Sequence, residues 1–347
     1  MSKARRSFRQ GGLTFAAAGL LSLFVSTAQA EVEAFAILTP EQGTDFGWNQ
    51  QAVDAARAVA RKLELEVTVA SGLGYGDVRS TLRELAAEGA DLMIAHASGY
   101  NTAAPEVAEE TGVPVAIVDA PQAAVPGLVA DYTLSGHEGA YLAGVLSALM
   151  TRTGSLGIVV SGEPPAWNSQ SMGFAQGARD TAPDIQLIYS VIGPAAYADA
   201  AGARRVTEAV IAAGADIIFG QGNGSTFGML QATETTAAPD GGKTWFIDII
   251  GDKSSLGSEH LLSSVLWNLE PVYTAMIDDL NQGTFGTDPY SIALADDSLQ
   301  LLKTDHIPAD VWEEVMKVRD RTIAGEIEIH PVFNAEEVRD FIQTLGQ

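Results

Sequence analysis

Short apolar runs alternate along the chain with longer stretches whose apolar residues recur at helical spacing. Residues 32–38 read as a strand, 49–63 as an amphipathic helix, 65–69 as a strand, 78–88 as a helix, 92–95 as a strand, 103–110 as a helix and 114–118 as a strand. Strands of four to seven residues separated by helices of this length predict a parallel sheet covered on both faces. The rhythm then restarts. Helix is expected at 137–150, 170–180, 200–213 and 226–236, with strand at 156–160, 185–191, 216–219 and 244–250. The phrase Ala87-Glu88-Gly89-Ala90-Asp91-Leu92 has a counterpart in Ala212-Ala213-Gly214-Ala215-Asp216-Ile217, where glycine ends a helix and the next buried strand begins. Two α/β units in tandem follow, with shared architecture and no close internal repeat.

Beyond residue 261, an apolar run to 266 and a helix at 272–280 read as a return to the first unit, with further helices at 311–322 and 335–345. The expected division is one lobe of residues 32–132 plus 262–347 and a second of 133–261. Two open parallel sheets of this kind bind ligands at the carboxyl ends of their strands, so the loops after strands should carry the function.

The first thirty residues change the picture of where the protein works. Lys3, Arg5, Arg6 and Arg9 precede an apolar run at 13–25 that ends in Ala28-Gln29-Ala30. That is the layout of a cleaved export signal, and the run is too short to span a bilayer. Arg5-Arg6-Ser7-Phe8 fits a twin-arginine signal and an arginine-rich general secretory leader equally well. The expected mature start is Glu31, in the periplasm. The chain has no cysteine, so no lipid anchor on a leader cysteine is expected, and a chain this long does not need disulfides to stabilise its core. The net charge of −24 disfavours nucleic acid and anionic membranes as partners.

Several strand-end loops hold chemistry suited to recognition. The first carries Asp45, Phe46, Gly47, Trp48 and Asn49. Asp45 either caps the following helix or meets a ligand, and Trp48 either packs inward or stacks on a planar ring. Tyr100 follows the third strand and Asp119 the fourth; Tyr100 is a second wall or a rim residue, and Asp119 caps a neighbour or receives hydroxyls. In the second half the strand ends deliver Trp167 with Asn168, then Tyr197, then Gln221-Gly222-Asn223-Gly224-Ser225, with Asp248 and Trp267 after later apolar runs. The glycine-rich segment lacks the spacing of a phosphate-binding loop, which favours close backbone approach to a neutral ligand. The five histidines are scattered, with no metal-ligand or nucleophile-elbow motif. No catalytic residue, metal or cofactor is expected, and an enzyme is the rival class.

Taken in order, Asp45-Phe46-Gly47-Trp48-Asn49-Gln50, Glu138-Gly139-Ala140-Tyr141-Leu142-Ala143-Gly144 and Leu262-Ser263-Ser264-Val265 resemble motifs of the basic membrane protein family. These are solute-binding proteins of ABC uptake systems that include purine nucleoside receptors. The resemblance implies a type I periplasmic-binding-protein fold: two doubly wound parallel-sheet lobes joined by a hinge, closing on a small solute and presenting it to a membrane permease and its ATPase. It places Trp48 and, less securely, Tyr197 where family aromatics stack on the base, and Asn49 where an asparagine contacts the ligand. Gly222 and Asp248 stand where the family meets the ribose. Two family lysines are replaced, one by Phe46 and one by Trp267, which implies a flatter and less polar pocket. A purine nucleoside is the first expectation; a free nucleobase or flavin-like ring, and a sensor that feeds a membrane partner other than a permease, are the alternatives.

Overall fold

The computed structural model describes residues 31–344; the expected export signal at 1–30 lies outside them. The first lobe begins with strand β1 (Ala34–Leu38), helix α1 (Trp48–Leu63), β2 (Glu66–Ala70), α2 (Arg79–Ala87), β3 (Leu92–Ala95), α3 (Ala103–Thr111), β4 (Val115–Val118) and β5 (Val129–Leu134). The second comprises α4 (Gly136–Met150), β6 (Ser155–Val160), α5 (Pro165–Thr181), β7 (Gln186–Val191), α6 (Ala200–Ala212), β8 (Ile217–Gln221), α7 (Thr226–Thr235), β9 (Trp245–Ile250) and β10 (Leu261–Trp267). The chain continues with α8 (Glu270–Gln282), β11 (Tyr290–Ile292), β12 (Leu299–Leu301), α9 (Ala309–Ile323) and α10 (Ala335–Gln343).

The strands form two six-stranded sheets, ordered β11-β5-β4-β3-β1-β2 and β12-β10-β9-β8-β6-β7. The pairings are parallel, with the exception of antiparallel β12 beside β10. Central strands such as Leu92–Ala95 and Val115–Val118 are buried at every residue, as helices on both faces require. The expected α/β alternation holds, with three strands added that the apolar pattern did not reveal: β5, β11 and β12.

The division between lobes differs from the sequence expectation. Strand β10 pairs with β9, aligning Ser264 with Asp248 and Val265 with Ile249, so it belongs to the second sheet. The return to the first lobe comes after Trp267, with α8 packing on α1 and β11 pairing with β5. The chain then crosses again. β12 joins the second sheet, α9 packs on α4, and α10 packs on α5 and β7. Three segments therefore connect the lobes, near residues 135, 268 and 293–298. They bond to one another: the Ser135 amide donates to the Ile292 carbonyl at 2.9 Å and the Asn268 amide to the Ser298 carbonyl at 2.7 Å. Apolarity marks β10 as a buried strand but carries no information about which sheet buries it.

Candidate functional site

Both sheets point the carboxyl ends of their central strands at the space between the lobes, and a cavity of about 130 Å³ lies there. Its first-lobe wall is built from the loop after β1 (Trp48), the loop after β2 (Tyr75), the loop after β3 (Ala97, Ser98), and Val118 with Asp119 at the end of β4. Its second-lobe wall is Pro164, Ala166 and Trp167 at the start of α5, Tyr197, Asn223 and Ile250. Leu134 and Trp267 line it where the chain crosses between lobes.

Trp48 is fixed from behind. Its ring stacks on His96 with centroids 3.6 Å apart and planes 20° from parallel. Its indole Nε1 donates to the His96 carbonyl at 3.1 Å, and His96 Nε2 lies 3.2 Å from the Trp48 carbonyl. That contact needs a proton on Nε2, so Nδ1 accepts from the Tyr132 hydroxyl at 2.6 Å. His96 is completely buried, and desolvation lowers its pKa to about 3, so the imidazole is neutral. One face of Trp48 is thus occupied by His96. Its edge-to-face neighbour is Trp267, at 5.8 Å and 87°. Across the cleft Trp167 and Tyr197 form a second perpendicular pair at 5.3 Å and 90°, and Tyr75 approaches Tyr197 at 6.0 Å.

Asp119 is the one carboxylate in this wall among the described residues. It keeps an exposed surface on the cavity side, yet the protein packed around it displaces part of its bulk solvent. This desolvation raises its pKa to about 6, opposed by the Leu134 amide, which donates to its Oδ1 at 3.0 Å, and assisted by nearby Asp131. Three residues beside the cleft hold left-handed backbone without being glycine: Phe46 (φ 52°), Asp119 (φ 52°) and Ile250 (φ 77°). Such geometry is uncommon, most of all for a β-branched residue, and costs about 1–3 kcal/mol each. The three residues sit in the loop after β1 and at the ends of β4 and β9, and the same backbone recurs at Glu64, Ala195 and Asp297.

Of the ten residues singled out in the sequence, Trp48, Asp119, Trp167, Tyr197 and Trp267 line one cavity. The other five occupy different positions. Asp45 serves the first turn of α1, accepting from the amides of Gly47, Asn49 and Gln50 at 2.9–3.2 Å. Asn49 is fully buried, giving Nδ2 to Asp45 at 2.7 Å and taking the Glu41 amide on Oδ1. Tyr100 is buried with its hydroxyl on the Gly74 carbonyl at 2.6 Å. Gly222 packs so closely on Ser225 that a Cβ there would lie 2.0 Å from the hydroxyl oxygen, while its neighbour Asn223 reaches the cavity. Asp248 is fully buried beside Lys253, whose Nζ is 3.0 Å from Oδ2; desolvation raises the Asp248 pKa and Lys253 opposes it. The ion pair occupies the carboxylate that the family resemblance assigned to ribose.

The sequence reading passed over Tyr75, Leu134 and Ile250. Tyr75 had a signal: it is an aromatic between glycines in Gly72-Leu73-Gly74-Tyr75-Gly76, after a strand. Leu134 and Ile250 are apolar strand ends that sequence cannot tell from core.

The comparisons agree with this architecture. The chain is 22% identical over 264 residues to the transcriptional activator protein Med of Bacillus subtilis, covering 76% of this chain and 80% of that one. It is 24% identical to a purine-binding protein of Brucella abortus, covering 82% of this chain and 79% of the relative. An ABC transporter solute-binding protein from Aeropyrum pernix superposes with a TM-score of 0.76 at 19% identity, over 90% of this chain and 97% of that one. Among the described residues no helix is long and apolar enough to cross a membrane. A family model described as "ABC transporter substrate-binding protein PnrA-like" matches residues 32–331, and the chain belongs to that Bmp family of solute-binding proteins.

Proposed function

We propose that the protein is exported and takes up a purine nucleoside or a related heteroaromatic solute between its two lobes, then hands it to a membrane permease driven by an ATPase. The observation that carries this reading is the cavity at the strand ends, walled by Trp48, Trp167, Tyr197 and Trp267 from both lobes and the segments joining them. Ring systems bury large flat areas against such walls. The three crossing segments support hinge closure, the usual motion of periplasmic binding proteins. The purine in the Brucella relative's name is consistent with this solute class. The only lining carboxylate is Asp119, with no histidine, lysine or arginine beside it among the described residues, which supports binding without turnover.

A thermal-shift screen of nucleosides, nucleobases, flavins and sugars tests the proposal, because a ligand that binds the native state raises its stability in proportion to ln(1 + [L]/Kd). A heteroaromatic is expected to raise Tm and to be recovered unchanged by chromatography. A response confined to sugars, or conversion of the added nucleoside to product, would contradict it.

A further inference from the structure

We infer that the solute is a compact heteroaromatic cation, with a quaternised or protonated ring nitrogen; this rests on the solute-binding reading and narrows it. Aromatic side chains form the walls in perpendicular pairs, Trp48 with Trp267 at 87° and Trp167 with Tyr197 at 90°. A neutral planar ring gains most between parallel faces, and two perpendicular partners cannot both stack on it. Rings set at right angles to one another instead let π faces meet a solute from more than one direction, which suits an organic cation.

The charges agree. Asp119 reaches the cavity, and among the described residues no lysine, arginine or histidine lines it. Tyr75, a further wall, donates its hydroxyl to the Glu41 carboxylate at 3.1 Å, which places a second acid at the hydroxyl end of that ring and makes the ring more electron-rich. Among the described residues nothing in this wall balances an anion, whereas Asp119 meets a cation directly and Glu41 adds negative potential through Tyr75.

Size and polarity narrow the ligand further. The cavity of about 130 Å³ is close to the roughly 150 Å³ of an engineered cavity that holds benzene, so a ring or a fused pair fits more readily than a base with its sugar. Two buried polar atoms on lining residues have no partner among the described residues: Trp267 Nε1, a donor, and the side-chain oxygen of Asn223. Unpaired buried polar groups are costly. An amide-like edge on the ring, with one acceptor and one donor, would satisfy both.

The test is calorimetry at pH 7 with two matched pairs: 1-methylnicotinamide against nicotinamide, and 1-methyladenosine against adenosine. Within a pair the ring is nearly constant and the cationic member is the methylated one. The expected result is binding roughly tenfold tighter for the cation, with the gap reduced to less than about threefold in Asp119→Asn, since removing the carboxylate leaves only the aromatic share of the attraction. Asparagine tolerates the left-handed backbone at this position and keeps an acceptor for the Leu134 amide. Neutral members that bind as tightly as their methylated partners overturn the cation inference and leave the heteroaromatic solute standing. Absence of binding by all four overturns the inference and removes the support for a heteroaromatic solute as well.

Discussion

At the scale of single residues, the site depends on side chains that hold other side chains. Trp48 meets the cavity on one face because His96 supports the other, and His96 is held by the hydroxyl of Tyr132. Removing the indole should weaken solute binding by about 1–3 kcal/mol, the usual worth of an aromatic stacked on a base, and should also lower Tm, because the ring covers buried His96 and donates to its carbonyl. Calorimetry and thermal melts of Trp48→Ala separate the two. The titrating groups give opposite signs. Between pH 3.8 and about 6, folded Asp119 keeps a proton that the unfolded chain has lost, so its contribution to stability declines as the pH rises through that window. Asp119→Asn should therefore melt above the wild type at pH 7.5, with the difference shrinking as the pH falls toward 3.8. His96 works the other way. The unfolded chain takes up its proton near 6.5 and the folded chain only near 3, so stability declines as the pH falls through that window. A melt series at several pH values in both proteins checks both slopes. What the sequence revealed of the site was the ring-bearing strand ends. Hidden in it were the partners that occupy Asp45, Asn49 and Asp248, because Lys253 and the amides of α1 meet those groups only once the chain is folded.

Among elements, the packing of α4 on α5 shows why one motif has its glycines. A Cβ on Gly144 would lie 2.1 Å from the Phe174 carbonyl oxygen, one on Gly177 2.1 Å from that of Tyr141, and one on Gly173 2.3 Å from that of His137. Backbone touches backbone here, and neither helix can yield by turning a side chain. Glu138, in the same motif, accepts the Leu294 amide at 2.9 Å and so ties α4 to a crossing segment. Gly177→Ala should cost about 2–3 kcal/mol, the upper part of the range for overpacking a filled core, seen as a lower urea midpoint with an unchanged slope; an unchanged midpoint would show that the helices can separate freely. Helix and strand identity was legible across residues 32–280, with the exception of β5, because buried parallel strands and amphipathic helices have different periods. The three-residue strands β11 and β12 were not, since so short a segment has no measurable period.

For the whole molecule, closure brings the lobes together at points outside the cavity. Phe46 of the first lobe meets Phe227 of the second edge-to-face at 6.0 Å. A Cβ on Gly251 would come within 2.3 Å of the Phe46 carbonyl oxygen, a backbone atom of the opposite lobe. Gly251→Ala should therefore hold the lobes apart, weakening binding without changing a residue that lines the cavity. Solution scattering with saturating solute should show a larger radius of gyration for this variant than for the wild type. The two-lobed plan was legible from the restart of the strand–helix rhythm. Its boundaries were not, because β10, α9 and α10 attach to the second lobe through contacts made by distant residues, such as Arg179 donating to the Ile342 carbonyl at 2.8 Å. The account stands most directly on one measurement: titration calorimetry of the best-binding heteroaromatic from the screen into the wild type and Trp48→Ala. Saturable one-to-one binding that weakens by about tenfold or more in the variant is the predicted result, and equal affinity in the two proteins would contradict the placement of the solute between the lobes.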